Sequence, residues 1–467
     1  MMNRLLLFLL PTLFLVSCKN TKNSDYTFLK GFFPNAKDSL VVLYQNDKPI
    51  DTMAFNKDKK VLFKLKIDKV NLYHFEIDNN YQYVYLEPKD SLVVFANTSN
   101  FMQTITFSGK GAPINNFITQ QFNNIEKEES SLRKLSILFP NEYKRKIDSV
   151  RHLKTQEYNL FLKNNPTLSE SAKDIALVSS TFPIYKEMES YPFVYQRNTQ
   201  HSVINLLPPN FHDYRKNINF NNLSLEYFRP YYNYMIMFIN NLAFKKYTVE
   251  GNYKDINKEE QFHLNKIKII DSIFPAGSLR DNLYRNAAYA YVFNIQNNKE
   301  CECYIEEFNK YNENNIHKAE LDDFFKSTLA LQEGSIPPDF EIIDLEGNHL
   351  TLSKIVKPEI TIYYFWSVNQ PDMSNLILNR ILQLKTLFPE VRFVGIDVGQ
   401  NITEWCEQAP SSIKDIEQYH ATNFTDLSRK FLINNISKAV ILGKDTRIIS
   451  AFESIFSPSL EKIILKN

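Results

Sequence analysis

Between Tyr26 and Phe107 the chain alternates at a period of two. Val61, Phe63, Leu65 and Ile67 interleave with Leu62, Lys64, Lys66 and Asp68, the spacing of a strand with one buried face. Apolar runs at Leu40–Tyr44, Leu72–Ile77, Tyr81–Leu86 and Leu92–Ala96 predict further strands, so residues 26–108 read as a small β domain. Asp-Ser-Leu-Val-Val occurs at Asp38 and again at Asp90, and a single echo of that length predicts a turn feeding a strand, not a repeat array. From Ala112 the spacing changes to threes and fours. Ile118, Phe122, Ile125 and Leu132, and later Ile267, Ile270, Ile273 and Phe274, predict a helical middle region over residues 112–333. Charge runs such as Glu126–Glu129 fit solvated helix faces. The aromatic stretch Tyr227–Tyr247 carries Arg229, Pro230, Asn233, Asn240 and Asn241, which predicts a buried helix rather than a membrane span; its tyrosines would also suit a pocket for a sugar or peptide. Gly334-Ser-Ile-Pro-Pro338 reads as a linker, since consecutive prolines exclude helix and sheet interior. Beyond it, strands are predicted at Ile360–Trp366, Val391–Val398, Ala439–Leu442 and Ile448–Phe452, with Gly443–Thr446 turning the last pair and a helix near Ser459–Leu465. Ile377, Ile381, Leu384 and Phe388 predict a helix after Trp366, capped by Asp372 or Ser374 and stopped by Pro389. The fold class is multidomain α+β, with a C-terminal α/β domain over residues 336–467.

Composition narrows the function. Of 467 residues, 43% are hydrophobic and 14% aromatic, which is a folded chain, and the net charge of +1 gives no electrostatic argument for nucleic acid. Only 10 glycines are present, against phosphate loops built on them; Gly109-Lys-Gly111 lacks the flanking pattern and reads as a turn between domains. The eight histidines, scattered singly, predict no metal site, and no motif calls for a cofactor.

Arg4 and the apolar run Leu5–Val16, too short to span a bilayer, precede Leu15-Val-Ser-Cys18, which resembles the lipobox of bacterial lipoproteins. The resemblance implies cleavage before Cys18 and lipid on its sulfur. Residues 1–17 would then be a signal peptide, residues 18–25 a tether, and a membrane the partner of the anchored chain, which would lie in the cell envelope, periplasmic or surface-facing. Cys301, Cys303 and Cys406 remain, an odd number that leaves at least one free thiol or an intermolecular bond. Cys301 and Cys303 would project in different directions on a helix, and in an extended segment would close a small, strained, exchangeable ring. Cys406, beside Trp405, reads as a core residue at the start of a helix.

The stretch Ile360–Ser374 delivers Asn369–Met373 to a helix N-terminus, where partial positive charge favours a thiolate or another anion. Together with the opening Ile336-Pro-Pro-Asp-Phe and a hairpin-like turn at Glu346 and Gly347, residues 336–465 resemble the TlpA-like thioredoxin-fold proteins that reduce disulfides in bacterial envelopes. The β segment is similar in pattern to the small sandwich preceding such domains in lipoproteins of Bacteroidetes-type bacteria. That family reads Phe-Trp-Ala-x-Trp-Cys-x-x-Cys, and aligned from Phe365 and Trp366 its cysteine positions fall on Gln370 and Met373. Ser437 stands where the family carries a cis proline; a cis bond before serine would cost roughly 2.5–4 kcal/mol, so a trans bond and a reshaped loop are expected. Gln400 stands where some relatives carry a buried proton-moving glutamate, a task an amide cannot perform. These departures point away from an enzyme and assign no catalytic residue. The expectation is an envelope lipoprotein with a degenerate site that binds a protein or peptide around Trp366, Gln370, Asp372, Met373, Gln400 and Ser437, or through the helical middle. The alternatives are a thiol-disulfide oxidoreductase acting through Cys301, Cys303 or Cys406, and a structural envelope lipoprotein.

Overall fold

The computed structural model describes residues 26–69, 71–248, 259–294, 301–412 and 416–467; the leader, Cys18 and the tether lie outside them. It divides into two compact units, one running to Asn217 with Ser224–Tyr234 added, the other Ile218–Leu223 with Met235–Asn467. The division falls inside the predicted helical region.

The first unit opens with strands β1 (Thr27–Phe32), β2 (Leu40–Gln45), β3 (Lys48–Ala54), β4 (Lys60–Leu65), β5 (Asn71–Ile77), β6 (Asn80–Leu86) and β7 (Ser91–Phe95), a short helix α1 (Phe101–Thr104) and β8 (Thr106–Gly109). They form two four-stranded sheets, ordered β4-β1-β7-β8 and β3-β2-β5-β6. One core joins their inner faces: Leu29, Phe63 and Val94 from the first sheet meet Leu43, Phe75 and Val84 from the second. The β2–β3 and β5–β6 hairpins turn on Asn46-Asp47 and Asp78-Asn79, all four left-handed, as tight two-residue hairpins require.

The chain leaves β8 through Gly109, at φ 92°, where a Cβ would lie 2.3 Å from the Ser91 carbonyl oxygen. Helix α2 (Ala112–Leu135) then closes both sheets with two successive side chains. The Asn115 amide accepts from Tyr85 N–H (2.8 Å) and donates to Tyr85 C=O (2.9 Å), on the outer edge of β6. The Asn116 amide does the same for Phe107 on β8, at 2.8 and 2.9 Å. Each amide thus takes the place of a further strand at an open edge. Helices α3 (Pro140–Asn164) and α4 (Glu170–Thr199) pack together, and α4 against α2. Tyr143 stacks on Tyr191 at 3.8 Å. Glu189 of α4 is fully buried, with its carboxylate accepting from Arg215 Nε and the Tyr214 hydroxyl, both at 2.8 Å.

Helix α5 (Arg229–Thr248) begins in the first unit and continues in the second, which adds α6 (Glu260–Ile273), α7 (Ser278–Asn294), α8 (Cys301–Asn309) and α9 (Lys318–Ala330). Tyr291 of α7 stacks on Tyr304 of α8 at 3.6 Å. No helix among the described residues, α5 included, is long and apolar enough to cross a membrane.

A mixed sheet follows: β9 (Glu341–Ile343), β10 (His349–Thr351), a turn of helix α10 (Leu352–Ile355), β11 (Thr361–Trp366), α11 (Pro371–Leu387), β12 (Arg392–Asp397), α12 (Ile402–Ser412), β13 (Glu417–Ala421), α13 (Phe424–Phe431), β14 (Lys438–Leu442), β15 (Ile448–Ser454) and α14 (Pro458–Lys466). The strand order is β10-β9-β13-β12-β11-β14-β15, with β11, β12 and β13 parallel. Strands β11, β12 and β14 are buried throughout, which explains why apolar residues follow one another there without alternation, as at 362–366 and 439–442. The predicted linker is not free-running. Gly334 N–H donates to Ile448 C=O at 2.8 Å and Ile448 N–H to Ser335 C=O at 2.9 Å, so it pairs with the start of β15.

Replacing Asn115 with alanine leaves the Tyr85 N–H and C=O buried and unpaired, at about 1–3 kcal/mol for each group. The expected result is a clearly lowered urea midpoint, with a smaller loss for the less buried Asn116→Ala; an unchanged midpoint for Asn115→Ala would remove it as the closure of the edge.

Candidate functional site

The parallel strands β11 and β12 end together, Trp366 beside Asp397 in register, and the loop from β11 turns there into α11. Ligands of open α/β sheets gather at such carboxyl ends of strands. Ser374, expected with Asp372 as a cap for α11, is not one. Its hydroxyl turns back across the loop, donating to Ser367 C=O (2.8 Å) and accepting from Ser367 N–H (3.0 Å). Gln370 occupies the cap position without a side-chain hydrogen bond, and Pro371 opens the helix. The first-turn N–H groups of Asp372 and Met373 therefore have no intrahelical acceptor.

Under the loop lies a carboxylate with no solvent exposure, Asp397. One oxygen accepts from Val368 N–H at 3.1 Å and the other from Nδ1 of His420, at 2.7 Å. His420 sits beside Asp397 in register on β13, with its ring 5.5 Å from that of Trp405. Two register positions further back, Trp366 Nε1 donates to Gln418 Oε1 (3.0 Å), and Gln418 Nε2 donates to the Tyr364 hydroxyl (2.8 Å). Gly395 makes room for this: a Cβ there would lie 2.2 Å from Gln418 Oε1. The sequence reading missed both arrangements, because Asp397, Gln418 and His420 stand at no motif spacing.

The residues expected to form one surface separate into inside and outside. Trp366 is 2% exposed and serves the interior network, so it offers no contact surface. Gln370, Asp372 and Gln400 are exposed, and Met373 is half-buried in the first turn of α11. Gln400 lies outside, its N–H donating to Asn369 Oδ1 at 3.0 Å, and a buried carboxylate stands three residues earlier in Asp397. No peptide bond among the described residues is cis, that before Ser437 included. Ser437 is half-buried, and its carbonyl accepts from Ile455 N–H at 2.7 Å. The next residue, Lys438, is buried. Its ammonium donates to Leu432 C=O at 3.3 Å and lies 4.7 Å from the centroid of the Phe452 ring, and burial pushes it down to about 7.

The described cysteines form no disulfide. Cys301 is buried in α8, where burial, with Glu302 and Glu260 nearby, pushes its thiol up to about 11 and keeps it protonated near neutrality. Cys303, on the same helix, is exposed. Cys406 is exposed too, against the expectation of a core position, because α12 turns the fully buried Trp405 towards the sheet and the following residue away from it. Around the end of β11 the exposed groups are thus amides, one carboxylate and uncapped backbone N–H groups. This is a hydrogen-bonding surface.

Residues 358–448 match the thioredoxin-like family model, and the C-terminal domain has a thioredoxin-like fold. Similar solved structures include the thioredoxin domain of a thiol-disulfide oxidoreductase from Bacteroides vulgatus (16% identity, TM-score 0.26, covering 29% of this chain and 99% of that one) and a thiol:disulfide interchange protein from a Bacteroides species (16%, 0.23, 26% and 81%). A thioredoxin-like protein from Bacteroides caccae aligns over more of the chain (11% identity, TM-score 0.33, 61% of this chain and 94% of that one). No curated protein matches.

Two outcomes are expected of the site residues. Asp397→Ala leaves Val368 N–H and His420 without their acceptor and costs about 1–3 kcal/mol; hydrogen exchange at Val368 and Asn369 should quicken, and unchanged exchange would mean the carboxylate does not hold the loop. For Lys438, the folded chain releases its proton near pH 7 while the unfolded chain keeps it to about 10.4. Stability should therefore rise with pH between those values. Lys438→Met should flatten that rise and raise the melting temperature at pH 7.

Proposed function

We propose that the chain is a lipid-anchored protein of the bacterial cell envelope whose thioredoxin-like domain binds a polypeptide partner instead of exchanging disulfides. The observation that carries the reading is the pair Gln370 and Met373, at the cap and first turn of α11, which the sequence resemblance aligns with the reactive cysteines of TlpA-like proteins. Neither side chain forms a thiolate, and the rest of the frame is kept: a buried strand, a braced loop and an open helix start. The surface offered is Gln370, Asp372, Gln400 and the backbone of the loop. Attachment rests on Leu15-Val-Ser-Cys18 and the short apolar run before it. A second reading, disulfide exchange through other cysteines, is favoured by the exposure of Cys303 and Cys406.

One assay separates the two. With dithiothreitol as donor, the unaltered chain should reduce insulin no faster than the donor alone, and the paired change Gln370→Cys with Met373→Cys should add turnover by restoring a dithiol at the helix start. Turnover by the unaltered chain that Cys303→Ser or Cys406→Ser abolishes would overturn the binding reading. For the anchor, labelled palmitate should enter the chain in a bacterial host and be lost with Cys18→Ala.

A further inference from the structure

The outer face of the sheet β4-β1-β7-β8 is not built like an ordinary solvated face. Strand β1 points Phe28, Lys30 and Phe32 outward, and β4 points Lys60, Leu62 and Lys64. The register sets these side by side, Phe28 against Lys64, Lys30 against Leu62 and Phe32 against Lys60. On the other side of β1, β7 adds Val93 next to Lys30 and Phe95 next to Phe32, and β8 adds only Thr106 and Ser108. Leu62 is 46% and Val93 36% exposed, and the rings of Phe32 and Phe95 meet at 5.5 Å. The lysine heads stand over aromatic rings, Lys60 5.5 Å from Phe32 and Lys64 4.1 Å from Tyr26. None of the outward positions on these four strands is acidic; the nearest carboxylate contact is Asp58 with Lys60, at 3.7 Å on the rim.

We propose that this face docks on the surface of a lipid bilayer carrying anionic headgroups. Apolar and aromatic side chains between lysines suit the boundary of headgroup and acyl chain, where the rings and Leu62 enter and the ammonium groups stay with the phosphates. A protein partner of matching shape would need a complementary acidic surface, whereas an anionic bilayer supplies one everywhere. Placement agrees. The strand at the centre of the patch, β1, is the first described element, and the eight residues from Cys18 to Asp25 can reach at most about 27 Å. The inference takes the nearness of a membrane from the lipoprotein reading; the chemistry of the face does not depend on it.

The test uses the chain from Lys19 onward, which keeps every described residue and carries no lipid. It should co-sediment with phosphatidylcholine vesicles containing about one third phosphatidylglycerol, and at least tenfold more weakly with phosphatidylcholine alone or at high salt. Lys30→Glu, Lys60→Glu and Lys64→Glu together should weaken binding at least tenfold, and Leu62→Ser with Val93→Ser several-fold. Circular dichroism and melting temperature should stay unchanged, as the altered side chains lie outside the core. The same charge change at the exposed Lys127, Lys134 and Lys163 of α2 and α3 should leave binding intact. The proposal is overturned if neither vesicle is bound, if the control triple loses as much, or if the face instead pairs two copies of the chain, seen as a dimer in sedimentation equilibrium that Leu62→Ser with Val93→Ser abolishes. Palmitate labelling at Cys18 reads the anchor separately. Labelled chain with no vesicle binding retires the docking face and keeps the lipoprotein; vesicle binding without label does the reverse.

Discussion

A buried carboxylate sets the geometry of the C-terminal domain where it matters. Taking Asp397 out of water is unfavourable unless its oxygens are occupied, and they are, by Val368 N–H and His420. Strands β12 and β13 and the loop after β11 are thereby fixed to each other, because lifting the loop would leave one buried carboxylate oxygen without its donor. Gln370 and the open start of α11 are carried on a loop with little freedom to move. A binding surface gains from this, since a rigid surface has less entropy to lose when something settles on it.

Much of this architecture is legible in the pattern of residues. The strands β2, β5, β6 and β7 lie where the apolar runs placed them, and β12, β14, β15 and α14 agree to within a residue or two. Elements without an apolar signature were missed. Strand β3 is a largely exposed edge strand, Lys48–Ala54, and β13, Glu417–Ala421, uses its inward positions for Gln418 and His420. Both are polar, so no alternation marks the strand, and the same two residues carry the networks behind the candidate site. The error at α11 has a similar origin. Serine near a helix start usually caps it, but here the hydroxyl of Ser374 finds better partners across the loop in Ser367.

Charges inside this protein are handled in contrasting ways. Glu189 is surrounded by donors, and Arg392 is held by Glu417 and by the carbonyl of Ile355 at 2.7 Å. Lys438 has one carbonyl and the face of a ring, and burial lowers its affinity for a proton accordingly. The first two brace the elements they join. The third is the first residue of β14, directly after Ser437.

The two asparagines that begin α2 also impose an order in time. A chain emerging from a ribosome presents all eight strands of the sandwich before residues 115 and 116 arrive. Until then the outer edges of β6 and β8 are bare rows of N–H and C=O groups, open to any other extended chain nearby. The sandwich is therefore a unit in space but not in synthesis, and a fragment ending at Gly111 would carry every strand together with two adhesive edges.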